Sequence, residues 1–181
     1  METLVELQNK HQFRTDKNST HSYLETYDKL FEPYKRKCTN LLEIGVLDGG
    51  SLELWNYYFS PDANIYGVEV YVNRIQEHQL SLHNVHILYK NVNYITNNFL
   101  QPIRFDIIID DGTHYLKDQI EVFDKLKHRL NPNGIYVIED LQPDAYQYFT
   151  EYAKDKNNCS IIDLRSIKDR YDDLLFVYTN V

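Results

Sequence analysis

Apolar side chains recur along this chain in two alternating rhythms. Short runs rich in Ile, Val and Leu cover residues 41–46, 65–70, 85–89, 105–110 and 135–139, and β-branched density of this kind marks strands buried on both faces. Between them lie segments with a helical stripe. Leu52, Trp55 and Phe59 stand at i, i+3 and i+7 within 51–59, and Leu116, Ile120, Phe123 and Leu130 share one side of 115–130. Weaker helical patterns cover 73–82 and 91–104. Strand, helix and strand in repetition predict a doubly wound parallel sheet with right-handed crossovers. Asn131-Pro132-Asn133-Gly134 reads as a turn ahead of the fifth strand. After a helix at 143–154 and a polar loop the ending changes, because 160–165 and 174–179 read as strands joined by a charged loop without a helix, which favours an antiparallel pair. The expected class is α/β: a mostly parallel, Rossmann-like, seven-stranded sheet with a C-terminal antiparallel hairpin.

Upstream, a short helix at 3–9 precedes Thr15-Asp16-Lys17-Asn18-Ser19-Thr20-His21, which offers capping side chains to an amphipathic helix carrying Tyr23, Tyr27, Leu30 and Phe31 and closed by Pro33. Asp16, Lys17, His21 and Tyr23 read equally as caps or as a lid over a ligand. Lys35-Arg36-Lys37 reads as a solvated linker. The 181 residues are read as one domain, with 1–36 a helical segment or lid and 37–181 the core. A formal charge of −8 and a pI near 5.3 argue against a polyanionic partner, so no nucleic acid is expected. The first thirteen residues lack the basic and apolar regions of a signal peptide, and no apolar run approaches the ~20 residues of a membrane span. A soluble, cytoplasmic protein without membrane contact is expected. Cys38 and Cys159 lack CxxC spacing and read as reduced thiols.

Chemistry concentrates at two strand ends. The run Phe105–His114, FDIIIDDGTH, passes from a buried strand into Asp110, Asp111 and His114, and the fifth strand runs straight into Glu139 and Asp140. If these strands are neighbours, ~4.8 Å apart, four acids share one rim. Like charges about 4 Å apart repel by about 4 kcal/mol at an effective dielectric near 20. A hard divalent metal is the simplest neutraliser. The first strand ends Glu43-Ile44-Gly45-Val46-Leu47-Asp48-Gly49-Gly50-Ser51, whose glycines permit a tight turn and whose following helix offers free N–H groups. Leu47 stands where a GxGxxG fingerprint needs glycine, and no GK[ST] is present. Glu69, ending the second strand, suits two ribose hydroxyls. Duller readings stand beside these: His114 could cap the helix that follows it, Glu139-Asp140 could complement a helix dipole, and His11, His78, His83, His86 and His128 read as surface or packing residues.

With its [ED]xGxxxG turn and terminal antiparallel strand, the chain resembles the class I S-adenosylmethionine-dependent methyltransferases. Four stretches, TDKNSTHSY (15–23), LLEIGVLDGGSLELW (41–55), IIIDDGTHY (107–115) and GIYVIEDL (134–141), resemble the Mg-dependent, mycinamicin-type sugar O-methyltransferases and the related cephalosporin-hydroxylase-like group. The resemblance implies Mg²⁺ ligands Asp111, Glu139 and Asp140, a general base at His114, and S-adenosylmethionine held by Glu43, Gly45, Gly49, Ser51, Glu69 and Asp110. It implies O-methylation of a sugar hydroxyl on a small-molecule or glycan acceptor. Asn91 stands where many relatives carry an acid near the adenine. The competing readings are a catechol-type O-methyltransferase, a metal-dependent glycosyltransferase and a non-enzymatic binding module, and the short chain leaves room for a homo-oligomer that completes the acceptor pocket.

Overall fold

The computed structural model describes residues 2–75 and 81–181. Its centre is a seven-stranded sheet made of β1 (Asn40–Ile44), β2 (Asn64–Glu69), β3 (Val85–Tyr89), β4 (Phe105–Asp110), β5 (Leu130–Ile138), β6 (Cys159–Asp163) and β7 (Leu174–Thr179), in the order β3-β2-β1-β4-β5-β7-β6. The first five strands pair in parallel, and β7 lies antiparallel to both β5 and β6. The strand order reverses next to β1, so the ends of β1 and β4 open a crevice there, the usual ligand position of such sheets.

Period-two alternation divides the sheet into two cores. Leu41, Ile65, Ile107, Ile109, Ile135 and Val137 face the helices α1 (Leu4–His11), α2 (Leu24–Phe31) and α3 (Gly50–Tyr58), where Tyr27, Phe31 and Trp55 pack with them. Leu42, Ile44, Ile108, Tyr136 and Ile138 face α4 (Leu116–Leu126) and α5 (Pro143–Ala153) through Val122, Phe123, Leu126 and Phe149. α1 begins on a reciprocal cap: Thr3 Oγ1 accepts from Glu6 N–H while Glu6 accepts from Thr3 N–H.

Several expectations are corrected. Residues 131–134 lie inside β5 rather than ahead of it: Phe105 pairs with Leu130 and Ile107 with Ile135, so the extra residues bulge out while Asn133 N–H donates to Asn180 O at 2.6 Å. Residues 91–104 contain a single-turn 3₁₀ segment, Val92–Tyr94, in place of a crossover helix; Asn97, Asn98 and Pro102 favour turns over helix. The helix expected over 115–130 ends at Leu126 and hands over to a 3₁₀ turn. Between β6 and β7 the loop holds a short helical turn, Arg165–Lys168, started by Asp163 Oδ1 accepting from Arg165 N–H. Lys35 is not solvated: it is buried, its ammonium 4.1 Å from the Tyr58 ring centroid. The helix expected over 73–82 and the placing of His78 lie outside the described residues. No helix among the described residues is long and apolar enough to cross a membrane, and both cysteines are free thiols.

Phe123 is the aromatic hub of the second core, with ring centroids of Tyr136, Phe149, Tyr152, Phe176 and Tyr178 between 5.2 and 6.2 Å away. Truncation removes all of these contacts at once. Phe123→Ala is expected to lower unfolding stability by about 3–5 kcal/mol, read as a drop in urea midpoint without a change in slope.

Candidate active site

Two turns at the C-terminal ends of β1 and β2 build one side of the site. Gly45 adopts φ +79°, and a Cβ there would lie 2.0 Å from the Asp111 carbonyl oxygen, so the turn is pressed against the end of β4 and only glycine fits. Glu69 fastens the turn from β2: Oε2 accepts from Leu47 N–H at 2.8 Å, and Oε1 accepts from Val70 and Tyr71 N–H at 2.7 and 2.9 Å. The spare lone pairs of that carboxylate remain for a ligand. A third wall is the segment 14–17. Arg14 pairs with Asp48 at 2.9 Å, and a Cβ on Gly50 would lie 2.0 Å from the Arg14 carbonyl oxygen, so this segment crosses the start of α3 in backbone contact.

Together these walls enclose a cleft of about 590 Å³, within the range of cofactor sites. Of the residues expected to hold a cofactor, Gly45, Ser51 and Glu69 line it, as do Asp48, Asn91, Asp111, His114 and Asp140. Glu43, Gly49 and Asp110 do not. Glu43 lies beneath the floor, where its Oε2 accepts from Ser51 Oγ–H at 2.7 Å and Trp55 Nε1–H at 2.9 Å. Gly49, at φ +84°, precedes the first turn of α3. Asp110 is buried on the α4 side of the sheet, with Gly112 N–H donating to Oδ1 at 3.3 Å. Asn91 turns its side chain on its own loop, accepting from Asn93 N–H at 2.9 Å.

The acidic corner is real but divided. Alternation sends Glu43, Asp111 and Glu139 to the α2 and α3 side, and there they meet the ammonium of Lys17 instead of one another alone. Lys17 Nζ donates to Asp111 Oδ2 at 2.7 Å and to both oxygens of Glu139 at 2.7 and 2.8 Å, and lies 3.3 Å from Glu43 Oε1. Tyr27 Oη–H donates to Glu139 Oε1 at 2.5 Å. Asp140, at φ +54°, breaks the alternation and turns outward. Its Oδ1 accepts from the Tyr23 hydroxyl and lies 3.3 Å from His21 Nδ1, which in turn sits 2.7 Å from Asp173 Oδ1. His114, at φ +58°, is held in the left-handed region that non-glycine residues rarely adopt. That conformation brings Nε2 to 3.9 Å from both Asp111 Oδ1 and Asp140 Oδ2.

Carboxylate and imidazole atoms of Asp111, His114 and Asp140 lie within 4.8 Å of one another, as do those of Glu43, Asp111 and Glu139. The first group opens on the cleft and its donor chemistry fits a hard divalent ion. Glu139 falls in the inner group and Asp140, its neighbour in sequence and its expected co-ligand, in the outer one, with Asp111 common to both. Segment 15–21 does not cap α2, whose N-cap position is Tyr23 and carries no side-chain cap. Lys17 and His21 enter the site instead. Tyr27 and Arg14 were not foreseen: Tyr27 reads as an ordinary stripe residue, and only its hydroxyl, which needs a partner when buried, hints at a polar role.

Burial pushes the carboxyls of Glu43, Glu139, Asp140 and Asp110 upward, Asp140 to about 6 and Asp110 to about 7. Asp111 adds to the rise in each. Burial alone would depress the Lys17 ammonium, but Asp111, Glu139 and Glu43 outweigh it and lift it instead.

Sheet order 3-2-1-4-5-7-6 with an antiparallel seventh strand is the class I methyltransferase fold. No protein-family model matches the chain. It is similar to the 8-demethyl-8-alpha-L-rhamnosyl tetracenomycin-C 2'-O-methyltransferase of Streptomyces olivaceus, 30% identical over 164 residues that cover 86% of this chain and 42% of that protein. It is also similar to the mycinamicin VI 2''-O-methyltransferase of Micromonospora griseorubida, 29% identical over 159 residues, 84% of this chain and 39% of that one. The MycE methyltransferase of the mycinamycin biosynthetic pathway, solved in complex with Mg and SAH, superposes with a TM-score of 0.73 at 23% identity over 99% of this chain and 55% of its own. The chain therefore spans about two-fifths of the length of these curated relatives.

A carboxyl whose pKa is higher in the folded than in the unfolded chain binds more protons when folded, so its contribution to stability is full at low pH and is lost as pH rises through the folded value. For Asp140 and Asp110 that window runs from the ordinary 3.8 up through about 6 and about 7. Without added divalent ions, the urea midpoint is expected to fall as pH rises from about 4 to about 7.5. A midpoint that rises across this range would contradict the assigned burial of these acids.

Proposed function

We propose that this chain carries the catalytic unit of an S-adenosylmethionine- and Mg²⁺-dependent O-methyltransferase acting on a sugar hydroxyl of a small-molecule or glycan acceptor. One observation carries the reading: the glycine turn with Glu69 and the group Asp111, His114 and Asp140 open on the same cleft. Similarity to enzymes whose names specify methyl transfer to rhamnosyl and mycinamicin oxygens supports the acceptor class.

When bound, the sulfonium cofactor supplies the methyl group and the divalent ion supplies a charge that orients and acidifies a hydroxyl. Gly45, Ser51 and Glu69 would hold the cofactor against the turn, with Glu43 buttressing Ser51 from below. Asp111 and Asp140 would hold the ion. His114 would take the hydroxyl proton at Nε2, which faces both carboxylates at a distance too long for direct hydrogen bonds and so leaves space for an oxygen between. For Nε2 to accept, the neutral ring carries its own proton on Nδ1. The resulting imidazolium then faces two carboxylates. Within this scheme residues 1–36 serve as a lid on a core formed by 37–181, since segment 14–17 walls the cleft.

S-adenosylhomocysteine is expected to raise the melting temperature of the wild-type chain and of His114→Ala alike, while His114→Ala lowers kcat for methyl transfer to a deoxysugar glycoside by about 10²- to 10⁴-fold. An unchanged kcat removes His114 from the chemistry. EDTA should abolish transfer and Mg²⁺ restore it; full transfer in EDTA discards the metal. Preference for a catechol over the glycoside would reassign the acceptor. Gly45→Val is unsuited to probing the cofactor, because the clash with Asp111 unfolds the turn whether or not a ligand binds.

A further inference from the structure

Lysine ammonium groups ordinarily stay in water, yet Lys17 is 1% exposed and surrounded by three acids from three different strand ends. Those acids, Glu43, Asp111 and Glu139, form one of the two groups whose oxygens lie close enough to share a metal ion. The other group, on the cleft, has only Asp111 in common with it. Asp111 divides its oxygens accordingly: Oδ2 lies 2.7 Å from Lys17 Nζ, and Oδ1 lies 3.9 Å from His114 Nε2.

We propose that Lys17 is a built-in counter-cation for the inner acids: it occupies the place a second divalent ion would take, fixes Asp111 with one oxygen facing His114, and so confines exchangeable metal to a single ion on the cleft side. The inner acids are organised around an ammonium. Tyr27 donates to Glu139, and Ser51 and Trp55 donate to Glu43 Oε2, while Glu43 Oε1 faces the Lys17 ammonium. The lysine is placed by its own backbone as well, its carbonyl accepting from Tyr23 N–H at 2.9 Å. With the ammonium removed, buried Glu43 and Glu139 and partly exposed Asp111 face one another with no positive charge among them, a state that a divalent ion relieves and a neutral side chain does not. Lys17 is a positioning residue here, since it acts through Asp111 and touches no reacting atom.

Manganese bound per chain, counted by titration calorimetry and by the loss of the free-ion EPR signal, tests this in the wild type, Lys17→Met and Lys17→Arg. The count is expected to be one in the wild type and in Lys17→Arg, and two in Lys17→Met. Equal counts in the wild type and Lys17→Met overturn the proposal, because a lysine that only supported the fold would lower the melting temperature and leave the count alone. The wild-type count rests on the metal reading given above, whereas the difference between the proteins does not. No ion in the wild type with one in Lys17→Met would end that reading and uphold this one. Should Lys17→Met be unfolded without metal, Mn²⁺ is expected to restore its far-ultraviolet circular dichroism where KCl of equal ionic strength does not; failure of Mn²⁺ to restore it also overturns the proposal.

Discussion

A buried ammonium bonded to carboxylates from β1, β4 and β5 is the contact on which the rest of the site depends. Three parallel strands that end side by side would otherwise deliver like charges into a space almost closed to water. An isolated buried pair of this kind is a poor source of stability, because desolvation offsets its attraction. Its value lies in specification. Lys17 ties the N-terminal segment to the three strand ends, whose acids Glu43, Asp111 and Glu139 lie 26, 94 and 122 residues away along the chain, and any other register of that segment leaves several charges unmatched. The cross-link explains why residues upstream of the sheet form a wall of the cleft and are not an appendage to it.

The same alternation that builds the two cores also sorts the acids. Glu43 continues the row of Leu41, and Glu139 continues that of Ile135 and Val137, so both inherit the face packed by α2 and α3. Asp110 continues Ile108 and is buried on the other face. Only where the backbone leaves the extended region does the row break, at Asp140 and at His114, and these are the two residues that turn toward the cleft with Asp111. Three left-handed non-glycine residues, Leu47, His114 and Asp140, stand in the loops at this end of the sheet and line the cleft, a concentration of strain that points to function.

Much of the fold was legible because its signal is periodic. Runs of β-branched residues placed every strand, and the change of rhythm after residue 154 located the antiparallel pair. The glycine turn and Glu69 were equally plain, since a turn against a neighbouring strand end demands glycine at Gly45. What stayed hidden was non-periodic. The bulge at 131–134 has the composition of a turn, and only pairing across to Phe105 and Ile107 shows that the strand continues through it. Glu139 and Asp140 are adjacent in sequence, yet period two turns them to different sides, so they fall in two groups that share Asp111. Lys17 was undecidable between cap and lid, because its partners lie far away in sequence and a lone lysine carries no pattern.

The two halves of the corner are neutralised by different means. On the inner side a fixed positive charge meets Asp111, Glu139 and Glu43. On the outer side Asp140 is met by a neutral hydroxyl from Tyr23 and by His21, which is shared with Asp173. A neutral donor such as the Tyr23 hydroxyl orients a carboxylate while leaving most of its charge in place. Uncompensated charge therefore accumulates on the one surface that a ligand can reach, around Asp111 Oδ1 and Asp140 Oδ2, and His114 stands over that surface. A site arranged in this way does not need many acids exposed to attract a cation; it needs most of them satisfied internally, so that those left over converge on a single place.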